Sequence, residues 1–395
     1  MSIGQALGVP KPQSFSSRRG LLRELDLVTI GSVAGLIALG LLSIFTATVD
    51  PEEGTLLGFQ ASSALFNRQL VFLVLGAVAM VAAVFFDYRY FKVYAMVMFL
   101  ITLFLLLVVL TPIGDVTRGS QRWISLGLFK LQPAELAKPV LVATLAAYIS
   151  DKRGYLGFPE IFRCLAITAP LAIAVFVQPD FGTMLVLIWI LFSMLIIGGA
   201  DWRAMVVIVI LGVVGITGIF QLGVVRDYQA KRFEAFLDPN RDPFGEGYSY
   251  RLTRTAVGNG GLTGKGLFSK QDPVNLTNLD FVREQPTDFV FTAVAEQMGF
   301  VGGATLLFLF GVLFVRGLRG GAMARDAFGT LLATGIVSYM AFQVFVNIGM
   351  TVGLVPITGI PLPFVSYGGS SLVVSALGVG LLLSVRMRRF ARALP

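Results

Sequence analysis

Polar and apolar sequence meet within Phe281-Val-Arg-Glu-Gln-Pro-Thr-Asp-Phe-Val-Phe-Thr-Ala-Val-Ala-Glu-Gln-Met-Gly-Phe300. The first part ends a long polar loop, whereas the residues after Thr287 and Asp288 are apolar and predict a membrane helix. Asp288 therefore lies at the N-terminal end of a predicted span. Two interpretations are open: the carboxylate caps the helix by accepting a backbone N–H, or it acts as a base. Glu296 lies eight residues on, about 80° around the helix and two turns deeper.

The composition extends this pattern to the whole chain of 395 residues, of which 55% are hydrophobic and only 14% charged. The mean hydropathy is +0.79, which is typical of a polytopic membrane protein. The chain has no histidine, which excludes Ser-His-Asp chemistry and His-ligated zinc. Its one cysteine, Cys164, excludes an internal disulfide. Catalysis must therefore use Asp, Glu, Lys, Arg, Tyr or Ser.

The predicted fold class is an all-α polytopic membrane protein with about ten transmembrane helices. One long extracytoplasmic loop, 223–288, separates helices 7 and 8. The apolar runs that support this prediction are 27–47, 69–86, 93–112, 134–149, 161–178, 182–199, 204–222, 289–315, 327–349 and 368–385.

The distribution of Lys and Arg predicts the orientation. Residues 1–26 form a basic cytoplasmic tail that precedes an apolar run without a small-residue cleavage site, which is typical of a signal anchor. Residues 27–385 form one membrane domain and residues 386–395 a second basic cytoplasmic tail, because Lys and Arg concentrate on the cytoplasmic side. The net charge of +8 is scattered between apolar runs, so it indicates contact with anionic lipid and not with nucleic acid.

Within the loop, Gly258-Asn-Gly-Gly-Leu-Thr-Gly-Lys-Gly266 is rich in glycine. The Walker pattern fails because Asn259 stands at its first glycine position and Gly266 follows Lys265. Two interpretations remain: a tight-turning loop, or a loop whose backbone N–H groups face a pyrophosphate.

Several polar residues stand at or near span ends. Glu135 and Lys138 are three residues apart on one helical face, and they form either a mutually neutralising pair or a functional one. Arg68 is either an interfacial arginine or a site residue.

Gln178-Pro-Asp-Phe-Gly182 favours a structural turn for Asp180. Pro361 and Pro363 exclude regular helix before the last span.

Together the motifs resemble the SEDS proteins of bacterial cell-wall synthesis. The resemblance is carried by Gln132-Pro-Ala-Glu-Leu-Ala-Lys138, Gln178-Pro-Asp-Phe-Gly182, Glu284-Gln-Pro-Thr-Asp-Phe289 and Pro361-Leu-Pro-Phe-Val-Ser-Tyr-Gly-Gly-Ser-Ser371. It covers nearly the whole chain after the N-terminal tail, and it is more like the elongation member RodA than the division member FtsW. Two departures are Pro286, where members usually have His, and Arg251 and Arg254, where they usually have Gln.

The resemblance implies a peptidoglycan glycosyltransferase that polymerises lipid II at the outer face of the bacterial plasma membrane, in cell elongation and shape maintenance. It implies a class B penicillin-binding protein as partner, and it makes Asp288 the essential catalytic aspartate. The expected cofactor is a divalent cation, Mg or Mn, and no organic cofactor is expected. The candidate substrate-binding residues are Arg68, Arg122, Trp123, Glu135, Lys138, Asp180, Glu284, Glu296, Ser366 and Tyr367.

Two rival functions stay open. A flippase for the same lipid-linked precursor would use intramembrane charges as a headgroup path. A non-catalytic scaffold would tolerate neutral substitutions at all these sites. A division-type polymerase is the alternative within the family.

Overall fold

The computed structural model describes residues 25–48, 63–117, 120–125, 127, 129–152, 154–221, 232, 234–239, 246–266 and 287–389. Its helices are α1 (Leu27–Thr48), α2 (Ser63–Phe85), α3 (Arg89–Val93), α4 (Ala95–Val109), α5 (Pro133–Ser150), α6 (Phe158–Val177), α7 (Phe181–Ile197), α8 (Trp202–Gln221), α9 (Glu246–Asn259), α10 (Val290–Ala322), α11 (Ala327–Val352) and α12 (Gly369–Met387). Each predicted span coincides with one of these helices.

The helices confirm a polytopic membrane fold. Six of them (α1, α2, α6, α10, α11 and α12) are long and apolar enough to cross a membrane, and α4 and α7 are shorter apolar helices. The exact number of crossings stays a prediction. Most of the predicted tails and much of the loop 223–288 lie outside the described residues, and the described part of that loop contains α9.

Helix α5 lies at the centre of the bundle, where it packs against α4, α7 and α11. Thirteen of its eighteen residues are buried. It begins at Pro133 after an extended Gln132, as predicted, because a proline ring is preset for the first helical turn. Protein surrounds this helix, so small residues and two charges replace the large apolar side chains that face lipid elsewhere.

One feature departs from the predicted all-α class. Between α4 and α5, strands β1 (Asp115–Thr117), β2 (Ser120–Ser125) and β3 (Lys130–Leu131) form a small antiparallel sheet in the order β1-β2-β3. Trp123 lies opposite Asp115 in this sheet. The predicted all-α class did not include this sheet, but β-branched and aromatic residues in the connection favour strand pairing.

At the other end of the bundle, Asp26 joins three helices. Its side chain accepts a hydrogen bond from Thr29 (2.7 Å) in α1 and forms ion pairs with Arg316 (2.5 Å) in α10 and with Arg386 in α12. Arg316 and Arg386 therefore lie at the same end of the bundle, and Arg386 begins the tail 386–395 that was predicted to be cytoplasmic.

Helix α10 is broken at Gly299, whose backbone (φ 64°, ψ −159°) is not helical. The glycine-rich residues 260–266 fill the break. The N–H groups of Lys265 and Gly266 donate to the carbonyls of Glu296 (3.0 Å) and Gln297 (3.1 Å). In return, Gly261 and Leu262 carbonyls accept from the N–H groups of Phe300 (2.9 Å) and Val301 (3.1 Å). The loop replaces bonds that the break removes.

This docking decides between the two interpretations of the glycine-rich loop. Its N–H groups at Lys265 and Gly266 are bound to α10, so they do not form a pyrophosphate cradle. The close contact explains the glycines: a Cβ on Gly299 would lie 2.6 Å from the Leu262 carbonyl oxygen. The tight-turning interpretation is confirmed, and its purpose is to satisfy backbone groups within a membrane helix.

We predict that Gly299→Ala destabilises the protein by about 2–5 kcal/mol, because Ala is strained at this positive φ and its methyl group meets the docked loop. Gly311→Ala is the matched control, since a Cβ there meets nothing within 4 Å in the same helix. The measurement is the melting temperature of each purified variant. Equal melting temperatures for the two variants would contradict the docking.

Candidate functional site

The residues between α11 and α12, 354–368, form a non-helical connecting segment, as Pro361 and Pro363 predicted. Within it the Leu362 N–H donates to Ser366 Oγ (2.8 Å), and the Ser366 N–H donates to the Leu362 carbonyl (3.0 Å). Leu362, Phe364 and Val365 are buried. Protein therefore encloses this segment, as irregular backbone in a membrane protein requires. Ser366 holds the turn through its own hydroxyl.

Asp288 lies against one end of the connecting segment. The α10 helix begins at Val290 and its N-cap position is Phe289, so the alternative in which Asp288 is the N-cap of this helix is wrong. Asp288 is half-buried. A Cβ added to Gly359, whose φ is +72°, would lie 3.3 Å from Asp288 Oδ2. The carboxylate therefore rests on a position that only glycine leaves open.

The backbone of Asp288 is tied to the same segment. Asn347 Nδ2, from α11, donates to the Asp288 carbonyl (2.9 Å) and to the Ile360 carbonyl (2.7 Å). Phe289 packs in a small apolar cluster with Tyr250 and Ile357. The hydroxyl of Tyr250 in α9 also donates to the Val355 carbonyl (2.8 Å). Helices α9, α10 and α11 thus converge on the connecting segment.

Arg68 and Tyr367 meet at the other end of the connecting segment. Arg68 is exposed in α2, and its guanidinium lies near enough to the Tyr367 hydroxyl to act on the pKa of that phenol. Burial raises the pKa of Tyr367, and the Arg68 cation only partly offsets this, so the phenol stays neutral near pH 7. Gln69, which is buried, accepts from the Gly368 N–H (3.3 Å) and fixes this end to α2. Two residues predicted from separate motifs are therefore neighbours.

Arg122 and Asp180 hold the turn before α7. Asp180 is the N-cap of α7 and accepts from the Thr183 N–H (3.1 Å) and from Gln132 Nε2 (3.0 Å). Arg122 Nε donates to the Gln178 carbonyl (3.2 Å), and Arg122 Nη1 lies 3.9 Å from Asp180 Oδ1. The turn interpretation of Asp180 is confirmed. Trp123, beside Arg122 in β2, is half-buried.

Glu135 and Lys138 form an ion pair of 2.7 Å in the first turns of α5, with side chains only 3% and 2% exposed. The predicted common face is confirmed. Their carboxylate and ammonium neutralise each other inside the bundle, near Tyr339 of α11. Both side chains are enclosed by protein, so the Lys138 ammonium is not exposed to a ligand in this conformation.

Glu296 is fully buried and lies under the glycine-rich loop, with its Oε1 3.4 Å from Lys265 Nζ. Glu296 therefore contacts the loop that is docked at the break in α10, and it is not exposed beside Asp288. Glu284 lies outside the described residues. The site that emerges therefore consists of Asp288 and Arg68 with Tyr367, held at two ends of one connecting segment.

Sequence reasoning missed Asn347, Gln69 and Lys265. The first two are amides inside apolar helices, a signal that the sequence does contain. Lys265 was set aside with the glycine-rich loop. For a metal, the described residues contain no cluster of three or more Cys, Asp or Glu side chains. A metal held by protein ligands alone does not fit this part of the chain.

Residues 27–390 match the family described as "Cell cycle protein" (FtsW/RodA/SpoVE). The chain is 36% identical over 363 residues to stage V sporulation protein E of Bacillus subtilis, covering 91% of this chain and 96% of that one. It is 33% identical over 364 residues to peptidoglycan glycosyltransferase MrdB of Escherichia coli, covering 92% of this chain and 95% of that one.

Two solved structures are similar over 93% of this chain. A chain of a peptidoglycan synthase complex, described for its coordination of polymerization and crosslinking, aligns over 99% of its length with a TM-score of 0.76 and 29% identity. The rod shape determining protein RodA of Thermus thermophilus aligns over 98% of its length with a TM-score of 0.63 and 28% identity.

We predict that Lys138→Met destabilises the protein by about 3–5 kcal/mol, because it leaves the Glu135 carboxylate buried without its cation. The double variant Glu135→Gln/Lys138→Met removes both charges and should recover most of that loss. The measurement is the melting temperature of the purified variants. A double variant as unstable as Lys138→Met alone would contradict the pairing.

Proposed function

The chain belongs to the FtsW/RodA/SpoVE family, the SEDS proteins, and on that premise we propose how it acts as a peptidoglycan glycosyltransferase that polymerises lipid II. The observation that carries the proposal is the half-buried Asp288 carboxylate at the start of α10, beside Gly359. The chain that carries this carboxylate is 33% identical to the peptidoglycan glycosyltransferase MrdB of Escherichia coli. The site is thus interpreted as a centre for glycosyl transfer.

The reaction fits one carboxylate. The 4-hydroxyl of an acceptor sugar attacks C1 of an α-linked donor, the bond from C1 to the pyrophosphate oxygen breaks, and a β-1,4 linkage forms by inversion. Asp288 takes the hydroxyl proton as the bond forms, a contribution typically of about 10²–10⁴-fold in rate. The leaving pyrophosphate departs with its electron pair and needs no protein acid.

Charge that builds on the pyrophosphate needs cations. Arg68 is exposed and lies beside the neutral Tyr367 phenol at one end of the connecting segment, so we assign it this role. Lys138 was a candidate for the same role, but its ammonium is buried against Glu135. Arg122, beside Trp123, contacts the backbone of the turn at 178–180. We assign pyrophosphate contact to Arg68 first.

A divalent cation fits only as a substrate-borne ion. Mg²⁺ usually takes one or two carboxylates together with phosphate oxygens and water, and Asp288 is the carboxylate at this site. When bound, the cation would offset charge on the leaving pyrophosphate.

We propose a class B penicillin-binding protein as the partner and the bacterial plasma membrane as the location, with both termini cytoplasmic. The likeness to a chain of a peptidoglycan synthase complex supports the partner. We further propose the elongation role, which the RodA-like Thr358-Gly-Ile-Pro-Leu-Pro-Phe-Val-Ser-Tyr367 run and the likeness to RodA support. Division is the alternative, because a relative 35% identical is named a probable FtsW.

The flippase alternative relied on intramembrane charges as a headgroup path. In the structure, Glu135 pairs with Lys138 and Glu296 with Lys265, and all but Lys265 are almost fully buried. Paired and enclosed charges do not offer a lipid headgroup a path. The scaffold alternative predicts that neutral variants at Asp288 and Arg68 keep function, which an activity measurement decides.

We predict that Asp288→Asn lowers the rate of lipid II polymerisation by at least about 100-fold, because the amide cannot accept the hydroxyl proton. The measurement is glycan formation by purified protein together with its partner. Asp151→Asn is the matched control, since that exposed carboxylate follows the last residue of α5 and pairs with Lys92. Wild-type polymerisation by folded Asp288→Asn would overturn the assignment.

We also predict that a chelator slows polymerisation and that Mg²⁺ or Mn²⁺ restores it, because the pyrophosphate carries the cation to the site. The melting temperature of the substrate-free protein should not change with the chelator. A full polymerisation rate in the presence of chelator would show that the reaction needs no divalent cation.

A further inference from the structure

Asn347 connects the two parts of the chain that frame Asp288. It lies in α11, is fully buried, and sends both N–H donors of its amide into backbone carbonyls, those of Asp288 (2.9 Å) and Ile360 (2.7 Å). An amide nitrogen has two donors, so this capacity is fully used. One side chain therefore ties the start of α10 to the connecting segment.

The tie fixes a carboxylate as well as a backbone. Ile360 follows Gly359, the residue whose added Cβ would lie 3.3 Å from Asp288 Oδ2. The two bonds of Asn347 thus set the distance between the backbone that carries Asp288 and the backbone against which its carboxylate rests. Loss of the amide would leave two carbonyls without these donors and free the two segments to move apart.

We propose that Asn347 is a positioning residue for glycosyl transfer, which holds the Asp288 carboxylate in register with the acceptor hydroxyl. This inference rests on the proposed function. A misplacement of about 1 Å can cost a reaction on the order of 100-fold in rate. Asn347 acts through Asp288 and does not itself touch the reacting atoms.

Gln343 provides a matched control one helical turn away. It lies in the same helix, is also an amide, and is 1% exposed, and its Oε1 has no hydrogen-bond partner among the described residues. A general loss of buried polarity in α11 would affect both residues alike. A positioning role affects only Asn347.

The experiment compares purified wild type, Asn347→Leu, Asn347→Gln and Gln343→Leu in lipid II polymerisation with the partner present. We expect kcat of Asn347→Leu to fall by about 10- to 100-fold with KM within about threefold of wild type. Asn347→Gln retains both donors and should recover part of kcat. Gln343→Leu should keep the wild-type kcat.

The outcomes separate the two claims. A wild-type kcat for folded Asn347→Leu, while Asp288→Asn is inactive, overturns the positioning role and leaves the proposed function intact. An inactive wild type, or an active Asp288→Asn, overturns the proposed function itself. If Asn347→Leu does not fold, Gly359→Ala displaces the same carboxylate by another route, and a wild-type kcat for that variant also overturns the inference.

Discussion

Backbone N–H and C=O groups that leave a helix inside a membrane protein must find partners within the protein, because lipid offers none. Among the residues that the structure describes, helical structure is interrupted in this way at Gly299 in α10 and along residues 354–368. The first break is satisfied by the backbone of residues 260–266. The second is satisfied by Asn347, Ser366 and Gln69. The architecture of the site follows from these replacement hydrogen bonds.

The same hydrogen bonds also position Asp288 and Arg68 at the connecting segment. Asn347 reaches the carbonyl of Ile360 and also that of Asp288, so the segment that needs a donor also holds the carboxylate. At the opposite end, Gln69 binds Gly368 while its neighbour Arg68 meets Tyr367. A carboxylate and a cation are thus held at the two ends of one segment. The buried pairs Glu135–Lys138 and Glu296–Lys265 support the surrounding helices.

The sequence was sufficient for features that depend on local chemistry. Hydropathy located the helices, Pro133 the start of α5, and Pro361 and Pro363 the absence of helix before α12. The spacing of Glu135 and Lys138 placed both on one face, since helical periodicity alone decides that. Asp180 was correctly predicted in a turn. Each of these outcomes needs only residues that are close in the chain.

Features that depend on distant contacts escaped prediction. Nothing near Glu296 in sequence indicates Lys265, and nothing near Asp288 indicates Asn347, because these contacts form only when the helices pack. The cap considered at Asp288 is not formed for the same reason: α10 begins at Val290 with Phe289 as its N-cap, and the residue before it is held by α11. The small sheet at 115–131 required the pairing of three short strands that are weak signals singly.

The most direct measurement of the central claim is an experimental structure of the protein with an unreactive lipid II analogue bound. If Asp288 is the base, the acceptor hydroxyl will lie within about 2.6–3.2 Å of its carboxylate, and the pyrophosphate will lie beside Arg68. A pyrophosphate and acceptor bound elsewhere, with no polar atom of either near Asp288, would contradict it.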